Sequence, residues 1–164
     1  MTELLRERWP GCDVLLREAQ VPDAVPWLRD GEIDIVLGSA PVDEPGIVSG
    51  PVLISEARML AVPSGHPFAR RESVTMEELG RTTLLQLPGS ASTLNELLTL
   101  VGAGHGVFPV GAQTRRYYAR PDVAYVPIDG APPVRWGLLW RADGATARIR
   151  AFAQAAHDLL HGGT

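Results

Sequence analysis

Residues 31–41, Gly-Glu-Ile-Asp-Ile-Val-Leu-Gly-Ser-Ala-Pro, constrain the fold more than any other stretch of this chain. Residues 33–37 are apolar except for Asp34, and they are rich in β-branched side chains. A run that short, bounded by glycines, reads as a strand buried on both faces. Such a strand belongs inside a parallel or mixed sheet with helices on both sides. Gly38, Ser39 and Ala40 then stand at its carboxyl end, where open α/β sheets bind ligands. The same residues also read as a plain strand exit, and the two readings stand side by side here.

The segments around this run repeat the pattern. Residues 13–18 alternate Val14 and Leu16 against Leu15 and Arg17, which predicts a strand. Pro22 and Asp23 open a short helix with Val25 and Leu28 inward, and Gly31 closes it. Residues 47–54 and 57–62 read as two further extended runs. Thr75-Met76-Glu77-Glu78 has the spacing of a capping box at the start of a short helix that Gly80 ends. Residues 83–87 read as a strand whose exit is Pro88-Gly89-Ser90. Thr93 to Glu96 is a second capping box, and Leu94, Leu97, Leu98 and Val101 recur at helical spacing behind it. Strands are expected at 107–110, 123–128 and 134–140, and Ile149, Phe152, Ala153, Ala156 and Leu160 mark a closing helix.

Composition excludes several classes. With 164 residues, 45% of them hydrophobic and 21% charged, the chain has core enough for one domain or two small lobes. The net charge of −4 argues against a surface built to neutralise phosphates. Cys12 is the single cysteine, so no intrachain disulfide forms. No apolar run approaches bilayer length, and the first ten residues carry charges where a signal peptide has its apolar core. A cytoplasmic protein is expected.

Each catalytic or ligand-binding motif has a plainer reading. Gly102-Ala103-Gly104-His105-Gly106 resembles a phosphate cradle, but these glycines close a helix instead of opening one. A helix stop that brings backbone close to an interlobe cleft is the better reading. Cys12 lacks the surroundings of a nucleophile, and Ser90 and Ser92 lack a nucleophile elbow. His157 and His161 have the spacing of a metal pair without further ligands, so no metal and no cofactor are expected. Trp136, Trp140 and the Tyr117-Tyr118 pair read as core or interface, not as base-stacking platforms. Nothing here marks an enzyme.

The order of the pieces resembles the effector-binding domain of LysR-type transcriptional regulators. Trp9-Pro10-Gly11, the strand to Glu18 and Leu28-Arg29-Asp30-Gly31-Glu32-Ile33-Asp34 carry the first part of the likeness. Pro51-Val52-Leu53, Met59 to Pro63 and Gly65-His66-Pro67-Phe68-Ala69 continue it, the last being its sharpest piece. Leu98 to Val110, the strand 134–140 and the final helix complete it.

The resemblance implies an α/β fold of the two-lobed, periplasmic-binding-protein-like (type 2) kind, with mixed sheets flanked by helices. It implies a first lobe over 1–78, a shortened second lobe over 79–130 and a return to the first over 131–164. It implies a small metabolite, an organic acid, bound in the interlobe cleft near Ser39 and Ala40 of one lobe and Pro88, Gly89, Ser90 and Gly106 of the other. The expected partners are that effector and a second copy in a homodimer. DNA is reached only through a winged helix-turn-helix domain absent from this chain. A solute-binding protein of a transport system is the alternative.

Overall fold

The computed structural model describes residues 13–19, 23–86 and 93–161. Its contacts group the chain into two units. One holds 13–19, 23–55 and 135–161; the other holds 56–86 and 93–134. Both are mixed α/β, as the sequence pattern predicts.

In the first unit, β1 (Val36–Ser39), β2 (Ile47–Glu56) and β7 (Val134–Arg141) form a sheet in the order β1-β7-β2. β1 and β7 run antiparallel, with Gly38 opposite Gly137 and Ser39 opposite Trp136. Helix α1 (Ala24–Asp30) ends where Gly31 takes φ 74°, a left-handed cap whose N–H reaches back to the Leu28 carbonyl. Leu28 packs with Val36, Ala40 and Leu139 on one face of the sheet. Helix α5 (Ala147–His161) covers the other face, where Ile149, Phe152, Ala153 and Ala156 meet Leu53, Leu138 and Trp140.

Two expectations change here. β1 begins at Val36 and lies at the edge of its sheet, with Leu37 55% exposed, so it is not the two-sided buried strand its composition suggests. Residues 13–19 are not in a ladder: no described strand pairs with them, and Leu15 and Leu16 are 90% and 82% exposed. Alternation of apolar side chains favours extended backbone, but a strand also needs a neighbour to take its hydrogen bonds. The segment is held through Arg17, which pairs with Glu32 and lies 4.1 Å from the Trp27 ring.

In the second unit, β3 (Arg58–Pro63), β4 (Val74–Thr75), β5 (Phe108–Gly111) and β6 (Val123–Asp129) form a sheet in the order β4-β6-β3-β5. β4 and β6 are parallel; the other pairs are antiparallel. β3 is the strand buried on both faces. Leu60 and Val62 pack with Leu79 of α2 (Met76–Gly80), and Met59 and Ala61 pack with Leu98 and Val101 of α3 (Leu94–Gly102). This period-two division between two helix layers explains why 58–63 groups with the residues after it. By their contacts the two units divide at 55/56 and 134/135. Residues 83–86 make one parallel bridge, Leu84 to Val107, instead of a full strand.

The helix starts follow their caps. The Thr75 hydroxyl accepts from the Glu78 N–H at 3.3 Å, and the Glu78 carboxylate accepts from the Thr75 N–H at 2.9 Å. Arg71 pairs with that carboxylate, and these contacts pull the Glu78 pKa down from 4.5 to about 2, the Arg71 hydrogen bond contributing most. Thr93 caps α3 by accepting from the Glu96 N–H at 3.2 Å. Among the described residues no helix is long and apolar enough to cross a membrane.

These contacts predict three outcomes. Leu98→Ala empties a fully buried position and should cost about 2–5 kcal/mol in a urea melt. Gly106 has φ 154°, and an added Cβ would sit 2.9 Å from the Leu85 nitrogen, so Gly106→Ala should cost about 1–3 kcal/mol. Because the folded pKa of Glu78 lies below its ordinary value, its stabilisation is present above pH 4.5 and fades as pH falls toward about 2. The melting-temperature gap between wild type and Glu78→Gln should close over that interval.

Candidate functional site

The six expected ligand contacts fare differently. Ser39 is the last residue of β1, with an exposed side chain. Ala40 donates its N–H to the Arg135 carbonyl at 2.8 Å and extends the pairing with β7 by one residue. Antiparallel pairs alternate between bonded and non-bonded. Ala40 opposite Arg135 is a bonded pair, so the N–H and C=O of Leu37 and Ser39 point away from β7. Ser39 thus presents both its hydroxyl and its peptide groups outward. The Ala40 methyl does not: Ala40 is 7% exposed and packs with Leu28, Val36 and Leu139. The Ala40 methyl thus belongs to the apolar cluster on the α1 side of the sheet.

In the second unit Gly106 follows α3 and precedes β5. Its missing Cβ is required by backbone, since the Thr83 carbonyl and the Leu85 nitrogen crowd that side. The Val107 N–H donates to the Thr83 carbonyl at 3.0 Å, and the Leu85 N–H donates to the Val107 carbonyl at 2.8 Å. Gly106 is a place of close strand approach. Pro88, Gly89 and Ser90 lie outside the described residues, as does Cys12.

The glycine run beside it does not cradle an anion. The N–H groups of Ala103, Gly104 and His105 donate to the carbonyls of Thr99, Val101 and Leu100 at the end of α3. Those donors are consumed, and the helix presents its partly negative end to the loop. The His157 and His161 rings stack with centroids 4.5 Å apart. Among the described residues no three metal-ligating side chains come together.

Two arrangements carry no motif in the sequence. A cavity of about 300 Å³ on the first unit is lined by Arg29, Arg141 and Asp143 with residues 45–47. Arg29 pairs with Glu44 at 2.8 Å and Arg141 with Asp143 at 3.5 Å, so the hollow is balanced in charge and has no strong field for an anion. In the second unit Arg120 makes a two-pronged contact with Asp122, at 3.0 and 2.9 Å, and donates to Thr99 at 2.9 Å and Asn95 at 3.3 Å. The guanidinium holds the Asp122 carboxyl below the usual carboxylate range, and the carboxylate holds Arg120 above its own. The Tyr125 hydroxyl donates to the Tyr118 carbonyl at 2.7 Å, and burial pushes that phenol up. This network ties α3 to the segment leading into β6. It is a latch within one unit, and none of its residues follows a recognisable spacing.

Comparison with known proteins supplies what the site geometry alone does not. The family model described as the LysR substrate binding domain matches residues 1–97. The HTH-type transcriptional regulator MetR of Salmonella typhimurium is 31% identical over 93 residues, which is 57% of this chain and 29% of MetR. The chain thus spans under a third of that relative's length. The crystal structure of the reduced form of OxyR superposes with a TM-score of 0.72 at 26% identity, over 98% of this chain and 87% of that one. The BenM effector-binding domain with its effector benzoate gives a TM-score of 0.67 over 96% of this chain and 82% of its own. At 21% identity it shows the shared fold alone. The fold is that of the two-lobed, type 2 periplasmic-binding-protein-like class. On the family match over 1–97, the chain belongs to the LysR substrate-binding-domain family.

Proposed function

We propose that this domain is the effector sensor of a LysR-type transcriptional regulator. The observation that carries the reading is the family match over residues 1–97, on a fold shared with OxyR and BenM over nearly the whole chain. MetR is named a transcriptional regulator, which favours regulation over solute transport. The effector is a small metabolite, and an organic acid is the class we assign. BenM's benzoate is such an acid, and the exposed hydroxyl and outward N–H of Ser39 suit a carboxylate.

The proposed contacts are Ser39 and the backbone at Ala40 in the first unit, with Pro88, Gly89, Ser90 and Gly106 in the second. The domain performs no catalysis in this reading, works in the cytoplasm, pairs with a second copy and reaches DNA through a winged helix-turn-helix domain. An intrachain disulfide switch is not part of the reading. Such a switch needs two cysteines, and these 164 residues hold only Cys12.

A thermal melt of the purified chain with a panel of aliphatic and aromatic carboxylates tests the proposal. A true effector at about a hundredfold its Kd should add about 2.7 kcal/mol to the native state, seen as a saturable rise in melting temperature. Ser39→Ala should leave the melt of the free protein unchanged and weaken that rise. A cooperative melt that no carboxylate shifts would overturn the assignment of an organic acid.

A further inference from the structure

The carboxyl end of β7 meets the hollow of the first unit, at the other end of that strand from Ser39. β7 runs antiparallel to β1 and places Trp136 opposite Ser39. Arg141 closes the same strand, about 17 Å further along at the usual rise per residue. The backbone there is pinned. The Ala142 N–H donates to the Gly46 carbonyl at 2.8 Å, which joins the end of β7 to the start of β2. The Gly144 N–H turns back to the Arg141 carbonyl at 3.2 Å. Between these segments and Arg29, in the last turn of α1, lies the space of about 300 Å³. That is the lower end of the usual range for small-molecule sites.

Arg141 is held in an uncommon way. A Cβ on Gly31 would stand 3.3 Å from its Nη1, and one on Gly144 would stand 3.4 Å from its Nε and Nη2. The guanidinium thus rests against the backbone of two glycines. Among the described residues its one charged partner is Asp143, 3.5 Å away and 81% exposed, and no hydrogen bond engages its N–H groups. Packing fixes the group and leaves its donors available. A guanidinium presents five N–H donors in a planar fork that fits a carboxylate. Arg29 gives one nitrogen to Glu44 and lines the same hollow.

These donors call for an acceptor, yet Asp143 repels a simple anion. A ligand that carries both charges satisfies both groups. The 3.5 Å between Arg141 Nε and Asp143 Oδ1 suits a carboxylate and an ammonium borne on one carbon. Pro45 and Ile47 add an apolar wall, and Ile47 packs with Leu28 and Leu139 behind it. We infer that this hollow binds a free α-amino acid with an apolar side chain. Its carboxylate lies on the guanidinium groups of Arg141 and Arg29, its ammonium on Asp143 and its side chain against Ile47.

L-Leucine is the probe, titrated calorimetrically into the full chain beside two analogues that each lack one charge, 4-methylpentanoate and 3-methylbutylamine. Leucine should bind saturably, and each analogue should bind about tenfold or more weaker. Arg141→Gln should keep the wild-type melt and weaken leucine by a similar factor. Asp143→Asn changes an exposed side chain and should also keep the melt. It should weaken leucine but strengthen 4-methylpentanoate, because the repelling charge is gone. Ser39→Ala should leave leucine binding unchanged, which separates this site from the carboxylate contact proposed at Ser39. No saturable binding of leucine would overturn the inference. Equal binding of 4-methylpentanoate to the wild type would do the same, since the site would then be one for anions. Leucine binding that survives both Arg141→Gln and Asp143→Asn, or that falls in Ser39→Ala, would place the amino acid elsewhere and overturn the assignment.

Discussion

β7 must pack on both faces at once, and the first unit depends on that constraint. Leu138 and Trp140 face α5, while Leu139 meets Leu28 of α1. Both flanking strands give way to it. A Cβ at Gly50 would fall 2.5–2.6 Å from the Trp140 ring, and one at Gly137 would fall 3.1 Å from the Ala40 methyl and the Pro51 carbonyl. The indole therefore lies directly on the backbone of β2, and β1 closes on β7 through Gly38 opposite Gly137. Close packing of this kind leaves little tolerance for added volume. It also fixes the strand end that displays Ser39, which is how a buried glycine contact bears on an exposed candidate ligand residue.

The second unit solves the same problem by other means. β3 divides its apolar side chains between two helices, and charged groups secure the ends of those helices. Glu78 closes α2 on Thr75 and Arg71, and Arg120 joins Asp122 to Asn95 and Thr99 of α3. The charges that stand out in the sequence are thus used locally.

The sequence was most legible where one local rule decides the structure. Thr75 and Thr93 cap helices because their hydroxyls reach an N–H three residues on, and Gly31 ends α1 because the left-handed cap needs no Cβ. Legibility failed where a residue's role depends on a distant partner. The composition of 33–37 describes a buried strand, but only pairing decides that β1 lies at an edge and β3 in the middle. Ala40 reads as a strand exit, and its burial follows from packing with Leu28, Val36 and Leu139, the last nearly a hundred residues away. Ser39 was legible as an exposed polar group at a strand end. Gly106 reads in the sequence as part of a helix stop beside a cleft, and the need for glycine there comes from the backbone of residues 83–85, which no local spacing announces. Arg120 gave no signal, because its four contacts join Asp122 beside it to a helix more than twenty residues earlier.

The division of the chain has a consequence for how the protein is made. Residues 56–86 and 93–134 form one unit from neighbouring stretches, whereas the other unit joins 13–19 and 23–55 to 135–161. As the polypeptide leaves the ribosome, β1 and β2 emerge first and must wait for β7, about a hundred residues behind. The unit of neighbouring stretches meets no such delay and can settle while the early segments are still unpaired. Once it has settled, it ties off most of the intervening loop and lowers the entropy cost of bringing β7 home. The inserted unit then acts as an internal scaffold for the segments on either side of it.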